Sequence, residues 1–540
     1  MGSLKMDNNL NHSSLNKIYI FDTTLRDGAQ SANISFSVGD KIRIVDRLDD
    51  IGIDYVEVGF PASNPKDDEL FKLIKKRKYK YSKIVSFGRT KYKNTSAQDD
   101  VYLKSLIDAE VDAVCIFGKA SSLHVEKIIE TTLDNNLEMI FDSIKYLKNN
   151  CPEVIYDAEH FFDGYKLNSD YAIKTLTTAQ EAGADFIVLC DTNGGCLPGE
   201  VVDILKKVDE YIKIPLGVHF HNDSGCAVAN SIVSVEGFSN IKMVQGTING
   251  YGERCGNADL CQIIPSLEVK LGKRCLPEGN LKHITNLSRF VSEVANQTPT
   301  SNQPFVGRNA FSHKGGMHVH GVSKIPYAFE HIEPEVVGNT REILISELSG
   351  KKSIILKAKE FGVNLDDDPK SVSKILNIIQ NLEHKGYQFE AADGSFELMV
   401  REITGAKKKF FALESFRVLN EKRIDGIMVS EATVKLLVGK DRIIETAEGD
   451  GPVHALDCAI RKALENFYPN LTKIKLSDFK VRVLDEKQGT AAVVRVLIES
   501  TDGIKSWGTI GVSENIIEAS WQALEDSIVY GLMHREENRK

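Results

Sequence analysis

The chain has no excess of positive charge: 67 Lys and Arg stand against 76 Asp and Glu, giving a formal charge of -9 and a pI near 5.9. That balance argues against a nucleic-acid partner, which would call for a basic stripe. No segment approaches the ~18 uninterrupted apolar residues of a membrane span, so no membrane partner is expected. The first 17 residues, MGSLKMDNNLNHSSLNK, are polar and lack the apolar core of a signal peptide, and they read as a disordered leader. Cysteine is present nine times, an odd number, and never as CxxC. Neither a disulfide framework nor a thiolate metal knuckle is indicated, and a reducing, cytoplasmic setting follows.

What is present is a soluble, globular composition of 42% apolar and 26% charged residues. At 540 residues the chain is too long for one hydrophobic core, and two or three domains are expected. From Ile18 to about residue 252, apolar runs recur, each ending on polar or glycine residues and each followed by a helix-like stretch. The eight runs are IYIFDTTL, YVEVGFP, IVSFGRT, AVCIFGK, VIYDAEHFF, FIVLCDTNG, PLGVHFHND and MVQGTINGYG. Strands alternating with helices imply parallel pairing by right-handed crossovers, and eight of them fit a (β/α)8 TIM barrel, typically about 250 residues. An open doubly wound sheet would also carry polar strand ends, so the pattern alone does not fix closure.

The barrel is expected over 18–285 and helical linker subdomains over 286–408, including the helix KSVSKILNIIQNLEHKGY. A separate α+β domain is expected over 409–540. A TIM barrel places its chemistry at the carboxyl ends of its strands. There stand Arg26 and Asp27, Glu159 and His160, Asp191 and Thr192, then His219, His221, Asn222 and Asp223, with Glu253, Arg254 and Asn257 just beyond the last strand.

His219 and His221 are two apart on a strand and share one face. Two imidazoles and one carboxylate make a facial set for a divalent metal with open positions for substrate oxygens, and Asp27 is the candidate carboxylate. The bland alternative is a pair of ordinary strand histidines. Arg26 beside such a metal would stabilise a carbonyl oxygen becoming an alkoxide, or it is simply a rim ion pair. Glu159 is a base or a supporting carboxylate; Thr192 binds a carboxylate or caps a helix. NGYGERCGN contains a GxGxxxG, but it follows the last strand rather than opening a βαβ unit, which speaks against a dinucleotide site. His313, His318 and His320 lie in a glycine-rich stretch that reads as a lid or as a solvated loop.

DTTLRDGAQ, HFHND, GERCGNADL and AFSHKGGMHVHG together resemble the DRE-TIM metallolyases, within them the 2-isopropylmalate, citramalate and homocitrate synthase branch. EGDGPVHA resembles the regulatory-domain signature of the first two. The resemblance spans nearly the whole chain after the leader. It implies a Claisen condensation of acetyl-CoA with a 2-oxo acid on a divalent metal (Mg2+, Mn2+ or Zn2+), followed by thioester hydrolysis. By the same resemblance Asp27, His219 and His221 match the metal ligands, and Asn257 an asparagine near or on the metal. Arg26 matches the arginine that polarises the keto oxygen, and Thr192 the residue that holds the 2-oxo acid carboxylate. Glu253 matches the acid of the strand-eight motif, and Glu159 an active-site glutamate near the acetyl methyl. His318 matches a histidine for proton abstraction supplied by the neighbouring subunit, with His313 as the alternative if the alignment slips.

The cysteine loop of the lyase relatives is replaced here by GYGERCGN, which favours condensation over cleavage. The opening stretch and YDAEHFFDGYK look most like citramalate synthases, which use pyruvate; 2-isopropylmalate synthase, using 2-oxoisovalerate, is the alternative. Phe117, Phe161 and Phe162 either narrow the acyl pocket or fill the core. The last domain, by resemblance, makes a homodimer and binds a branched-chain amino acid, isoleucine or, for the alternative, leucine. A degenerate, non-catalytic barrel is opposed by the intact Asp27, His219, His221, Arg26 and Glu253.

Overall fold

The computed structural model describes residues 16–347, 349–484 and 492–537. Most of the expected leader, residues 1–15, lies outside the described residues. Lys17, counted in it, pairs with Arg274 in an isolated bridge and sets its ammonium 2.7 Å from Asp54.

Two compact units emerge: one runs to Phe311 and takes back Ile332–Thr340, the other holds Ser312–His331 and everything from Arg341 onward. The first is a closed eight-stranded parallel barrel. Its strands are β1 (Tyr19–Asp22), β2 (Tyr55–Gly59), β3 (Lys83–Arg89), β4 (Ala113–Lys119), β5 (Val154–Glu159), β6 (Phe186–Asp191), β7 (Leu216–Phe220) and β8 (Ile241–Gly246). Closure is direct, since β1 pairs with β8 from Tyr19 opposite Met243 to Asp22 opposite Gly246. The open-sheet alternative is thereby removed.

Side chains alternate across each strand. Phe21, Tyr55, Val85, Cys115, Ile155, Val188 and Met243 fill the barrel, whereas Ile20, Val56, Ile116, Ala158, Val218 and Val244 pack outward under the helices. The fifth expected strand ran too far. It stops at Glu159, His160 takes the left-handed conformation (φ 57°), and a helix begins at Phe161. Phe161 and Phe162 consequently fill the shell between barrel and helices and do not reach an acyl pocket.

The second unit contains the expected helix, at Pro369–His384, and two three-stranded antiparallel sheets. Strands Ala412–Lys422, Met428–Val438 and Asp441–Gly449 precede helix Pro452–Leu464; strands Lys475–Val483, Val494–Thr501 and Ser506–Ser513 precede helix Ile516–Glu537. Three strands and a helix thus occur twice in succession. Helix Asp393–Ile403, placed by the sequence in the linker, is bound into this domain. Ser395 accepts a hydrogen bond from the Ile510 amide, and buried Glu397 meets His534 at 3.0 Å. Among the described residues, no helix is long and apolar enough to cross a membrane.

Candidate active site

The carboxyl end of the barrel gathers most of the charged residues singled out from the sequence. After β1 the backbone folds back on itself, with the Arg26 and Gly28 amides both donating to the Thr23 carbonyl, and this turn delivers Arg26 and Asp27 to the barrel mouth. His219 has the inward parity of β7, and His221 continues it one residue past the strand.

Asp27 Oδ2 lies 3.4 Å from His219 Nε2 and 3.8 Å from His221 Nε2, all three residues being buried. They form a group in which one ligand atom from each lies within 4.8 Å of the others. Two atoms each bound to one ion at about 2.0–2.2 Å stand ~3.0–3.5 Å apart, so the cluster fits a divalent cation with little movement. A second observation supports the fit. Asn257 Oδ1 is buried and has no hydrogen-bond partner among the described residues, an arrangement that costs energy unless something else coordinates it. Asn257 is held beside His221 by an antiparallel bridge. The glycines around it permit this. A Cβ on Gly252 would stand 2.2 Å from Asn257 Nδ2, and Gly256, at φ 86°, would put one 2.0 Å from the Gly250 carbonyl oxygen. The glycine pattern that invited a dinucleotide reading serves the loop's own packing.

Burial works against charge on Asp27, but Arg26 and His219 outweigh it and hold the carboxyl well below the usual range. Burial and the neighbouring His219 push His221 down to about 4, leaving it neutral, the form that ligates metal. For His219, burial is overcome by the hydrogen bond and charge of Asp27, and its imidazole is raised.

Arg26 is locked in place. Its Nε donates to Glu57 Oε2 at 2.5 Å, Nη1 stands 3.5 Å from Asp27 Oδ2, and the guanidinium carbon sits 3.8 Å over the Phe87 ring. Phe87 stacks in turn on Phe117, centroids 5.4 Å apart. Arg26 and Phe87 line a cavity of about 600 Å3, and Phe117 with Lys119 and Met139 lines one of about 320 Å3. Thr192 uses its hydroxyl oxygen to accept from the His160 amide at 2.9 Å, which leaves the hydroxyl proton free to be donated elsewhere. Glu159 is half-buried and ion-paired with Lys119, opposite it on β4.

Glu253 is not part of the group formed by Asp27, His219 and His221. It is exposed, and its nearest charge is Arg254 at 3.7 Å. Arg254 is the residue of that motif that ties loops together, donating to Asp223 and to the Thr192 carbonyl. His318 and His313 belong to the other unit. His318 is exposed on helix Gly316–Lys324, against Phe329. His313 is buried and paired with Glu330 at 3.0 Å, which Arg341 also grips.

Residues 17–291 match the HMGL-like family, a little over half of the chain. The chain belongs to that family. Beyond its barrel, this HMGL-like protein matches the homocitrate synthase post-HMGL domain-like family at 305–386 and the LeuA allosteric (dimerisation) domain at 390–532. It is 53% identical to an (R)-citramalate synthase of Geobacter sulfurreducens, over 96% of this chain and 98% of that one. Against an (R)-citramalate synthase of Aquifex aeolicus the identity is 51%, over 96% and 99%. A 2-isopropylmalate synthase of Methanocaldococcus jannaschii is more distant, at 33% over 96% of each.

Four residues that touch the site are not singled out for chemistry from the sequence: Glu57, Asp157, Gln245 and Lys119. The first three share the inward parity of their strands, and a polar residue at an inward position of a barrel strand is the signal that marks them.

Proposed function

We propose that this chain is an (R)-citramalate synthase, joining acetyl-CoA to pyruvate and hydrolysing the thioester to give citramalate and CoA. The observation that carries the reading is full-length identity of 46–53% to five citramalate synthases, in a chain that sets Asp27, His219, His221 and Arg26 at one barrel mouth. The Claisen chemistry needs an acidified acetyl methyl, an electrophilic keto carbon and a place for the negative charge that develops on the keto oxygen.

Asp27, His219 and His221, with Asn257 Oδ1 beside them, would hold a divalent ion, Mg2+, Mn2+ or Zn2+. When bound, such an ion acts as a Lewis acid toward the 2-oxo acid. Arg26, fixed by Glu57 and Phe87, donates to the keto oxygen as it becomes an alkoxide. Thr192 donates a hydrogen bond from its hydroxyl to the pyruvate carboxylate. His318, supplied across a homodimer, removes the methyl proton directly or through water, with Glu159 assisting. Glu253 enters the catalytic set through the strand-eight motif that it matches. The stacked Phe87 and Phe117 narrow the space beside Arg26 and favour a methyl over an isopropyl group, a choice worth about 1–3 kcal/mol.

The LeuA domain supports a homodimer inhibited by a branched-chain amino acid, isoleucine for this activity. Nine free cysteines fit a reducing, cytoplasmic setting. The test is CoA release from acetyl-CoA with Mg2+ or Mn2+, comparing pyruvate, 2-oxoisovalerate and 2-oxoglutarate, each with isoleucine or leucine. Pyruvate preference with isoleucine inhibition is expected. Preference for 2-oxoisovalerate would move the assignment to 2-isopropylmalate synthase, and absence of thiol with every acceptor would end it.

A further inference from the structure

Directly beneath the metal cluster the barrel buries a primary amide, and burying one costs energy unless it is hydrogen-bonded. Gln245 on β8 has no solvent exposure. Its Oε1 meets His219 Nδ1 at 2.8 Å, and its Nε2 donates to Asp157 Oδ1, on β5, at 3.0 Å. The orientation of the amide decides the state of the histidine. Burial raises the Asp157 carboxyl against the charges of His219 and Arg26, and its Oδ1 accepts from the NH2 end of the amide, which leaves the carbonyl end toward His219. A carbonyl oxygen beside Nδ1 requires Nδ1 to carry hydrogen. In the neutral imidazole, the form that ligates metal, the lone pair then resides on Nε2, the atom that faces Asp27.

We propose that Gln245 and Asp157 are a positioning pair that fixes the His219 tautomer and ring orientation, so that Nε2 is presented as a metal ligand. The inference rests on the reading of Asp27, His219 and His221 as a metal centre. It adds two residues that stand outside the metal-ligand motifs, on strands other than those carrying the ligands. Neither touches the reacting atoms; both act through His219. Partners of this kind are worth 10-fold to 100-fold in metal affinity.

Two substitutions separate the parts of the chain of contacts. Gln245→Leu keeps the volume and removes the acceptor. Asp157→Asn presents an amide in place of the carboxylate, so the Gln245 amide is free to turn over and point its NH2 at Nδ1, favouring hydrogen on Nε2. The experiment titrates Mn2+ into the full-length protein, reads free ion by electron paramagnetic resonance, and records thermal unfolding of each variant. Gln245→Leu is expected to weaken Mn2+ binding 10-fold to 100-fold, Asp157→Asn to weaken it by a similar factor, and the double variant to bind no worse than Gln245→Leu alone.

A folded Gln245→Leu protein that binds Mn2+ within threefold of the parent would overturn the proposal, as would losses that multiply in the double variant. Should Gln245→Leu fail to fold, Asp157→Asn becomes the deciding variant, and its unchanged affinity would overturn the proposal equally. A parent protein that binds no Mn2+ would sink the metal reading itself. Mn2+ binding that depends on Gln245 without citramalate formation would sink only the assigned activity.

Discussion

Arg26→Lys keeps a positive charge at the barrel mouth and changes only its geometry, which isolates what the guanidinium does. In the parent, one side chain donates to Glu57 at 2.5 Å, approaches Asp27 at 3.5 Å and lies 3.8 Å over the Phe87 ring. A lysine ammonium is a point charge on a flexible stem and cannot stack on the ring while bridging two carboxylates. Two costs follow. Breaking a buried ion pair by removing one member costs ~3–5 kcal/mol when the remaining charge is stranded. Here burial has already pushed the Glu57 carboxyl up to about 7, against the pull of Arg26, so at neutral pH it escapes by taking a proton. The stability loss is then limited to roughly 1.5–3 kcal/mol, that of a hydrogen bond to a charged group. The catalytic cost is larger, since losing one preorganised donor to a developing oxyanion costs about 2.7–4 kcal/mol, or 10²–10³ in kcat. Initial rates of CoA release give kcat and the KM for pyruvate, and Mn2+ titration gives metal affinity. The expected result is a kcat reduced 10²-fold to 10³-fold with Mn2+ affinity within a few-fold of the parent. A kcat within threefold, or a loss fully restored by excess metal, would refute the assignment of Arg26 to the keto oxygen.

His160 holds a left-handed backbone (φ 57°) whose amide donates to the Thr192 hydroxyl. His160→Gly, which adopts that conformation freely, should leave the pyruvate KM nearer the parent than His160→Ala, where the conformation costs ~1–2 kcal/mol; equal KM values would discount the backbone. His318→Gln should lower kcat at least 10-fold with an unchanged melting temperature. His313→Gln should instead lower the melting temperature, because it removes a buried partner of Glu330; the reverse pattern in steady-state rates and calorimetry would exchange their roles. Burial raises the Asp22 carboxyl from its ordinary 3.8 to about 7, against hydrogen bonds from Thr24. The folded state therefore holds this proton more tightly than the unfolded one. Stability is lost as pH rises between about 4 and 7, by up to ~4 kcal/mol. Asp22→Asn should flatten the fall in melting temperature from pH 5 to pH 8, and an unaltered slope would contradict the assignment.

The sequence made the outer ring of the site legible because a parallel barrel brings every strand end to one pole, so that residues far apart in number could be grouped without knowing a single contact. Asp27, His219 and His221 are grouped in this way, and the structure brings one ligand atom of each within 4.8 Å of the others. Elements failed where periodicity carries no information. In VIYDAEHFF the apolar run continues past Glu159, yet the chain leaves the strand through a left-handed His160, and nothing in the residue types announces the turn. Helix Ile516–Glu537 is buried around much of its circumference, so it lacks the one-sided pattern by which helices are recognised. An expected α+β domain over 409–540 does not by itself disclose the repeated order of three strands and a helix, which strands Asp441–Gly449 and Ser506–Ser513 complete.

The layer under the site was hidden for a different reason. Glu57, Asp157 and Gln245 sit in otherwise apolar strands, each an isolated polar residue that composition averages away. Parity would have found them. Each occupies an inward position, where burial with no partner is costly, so each must meet another polar group across the barrel. Glu57 meets Arg26, and Asp157 meets Gln245, which meets His219. Every inward polar residue in this layer therefore ends on a side chain at the mouth. The residues proposed to touch substrate are announced by motifs at strand ends. Those that set the protonation and orientation of the first group are read by following the alternation of the strand one layer down.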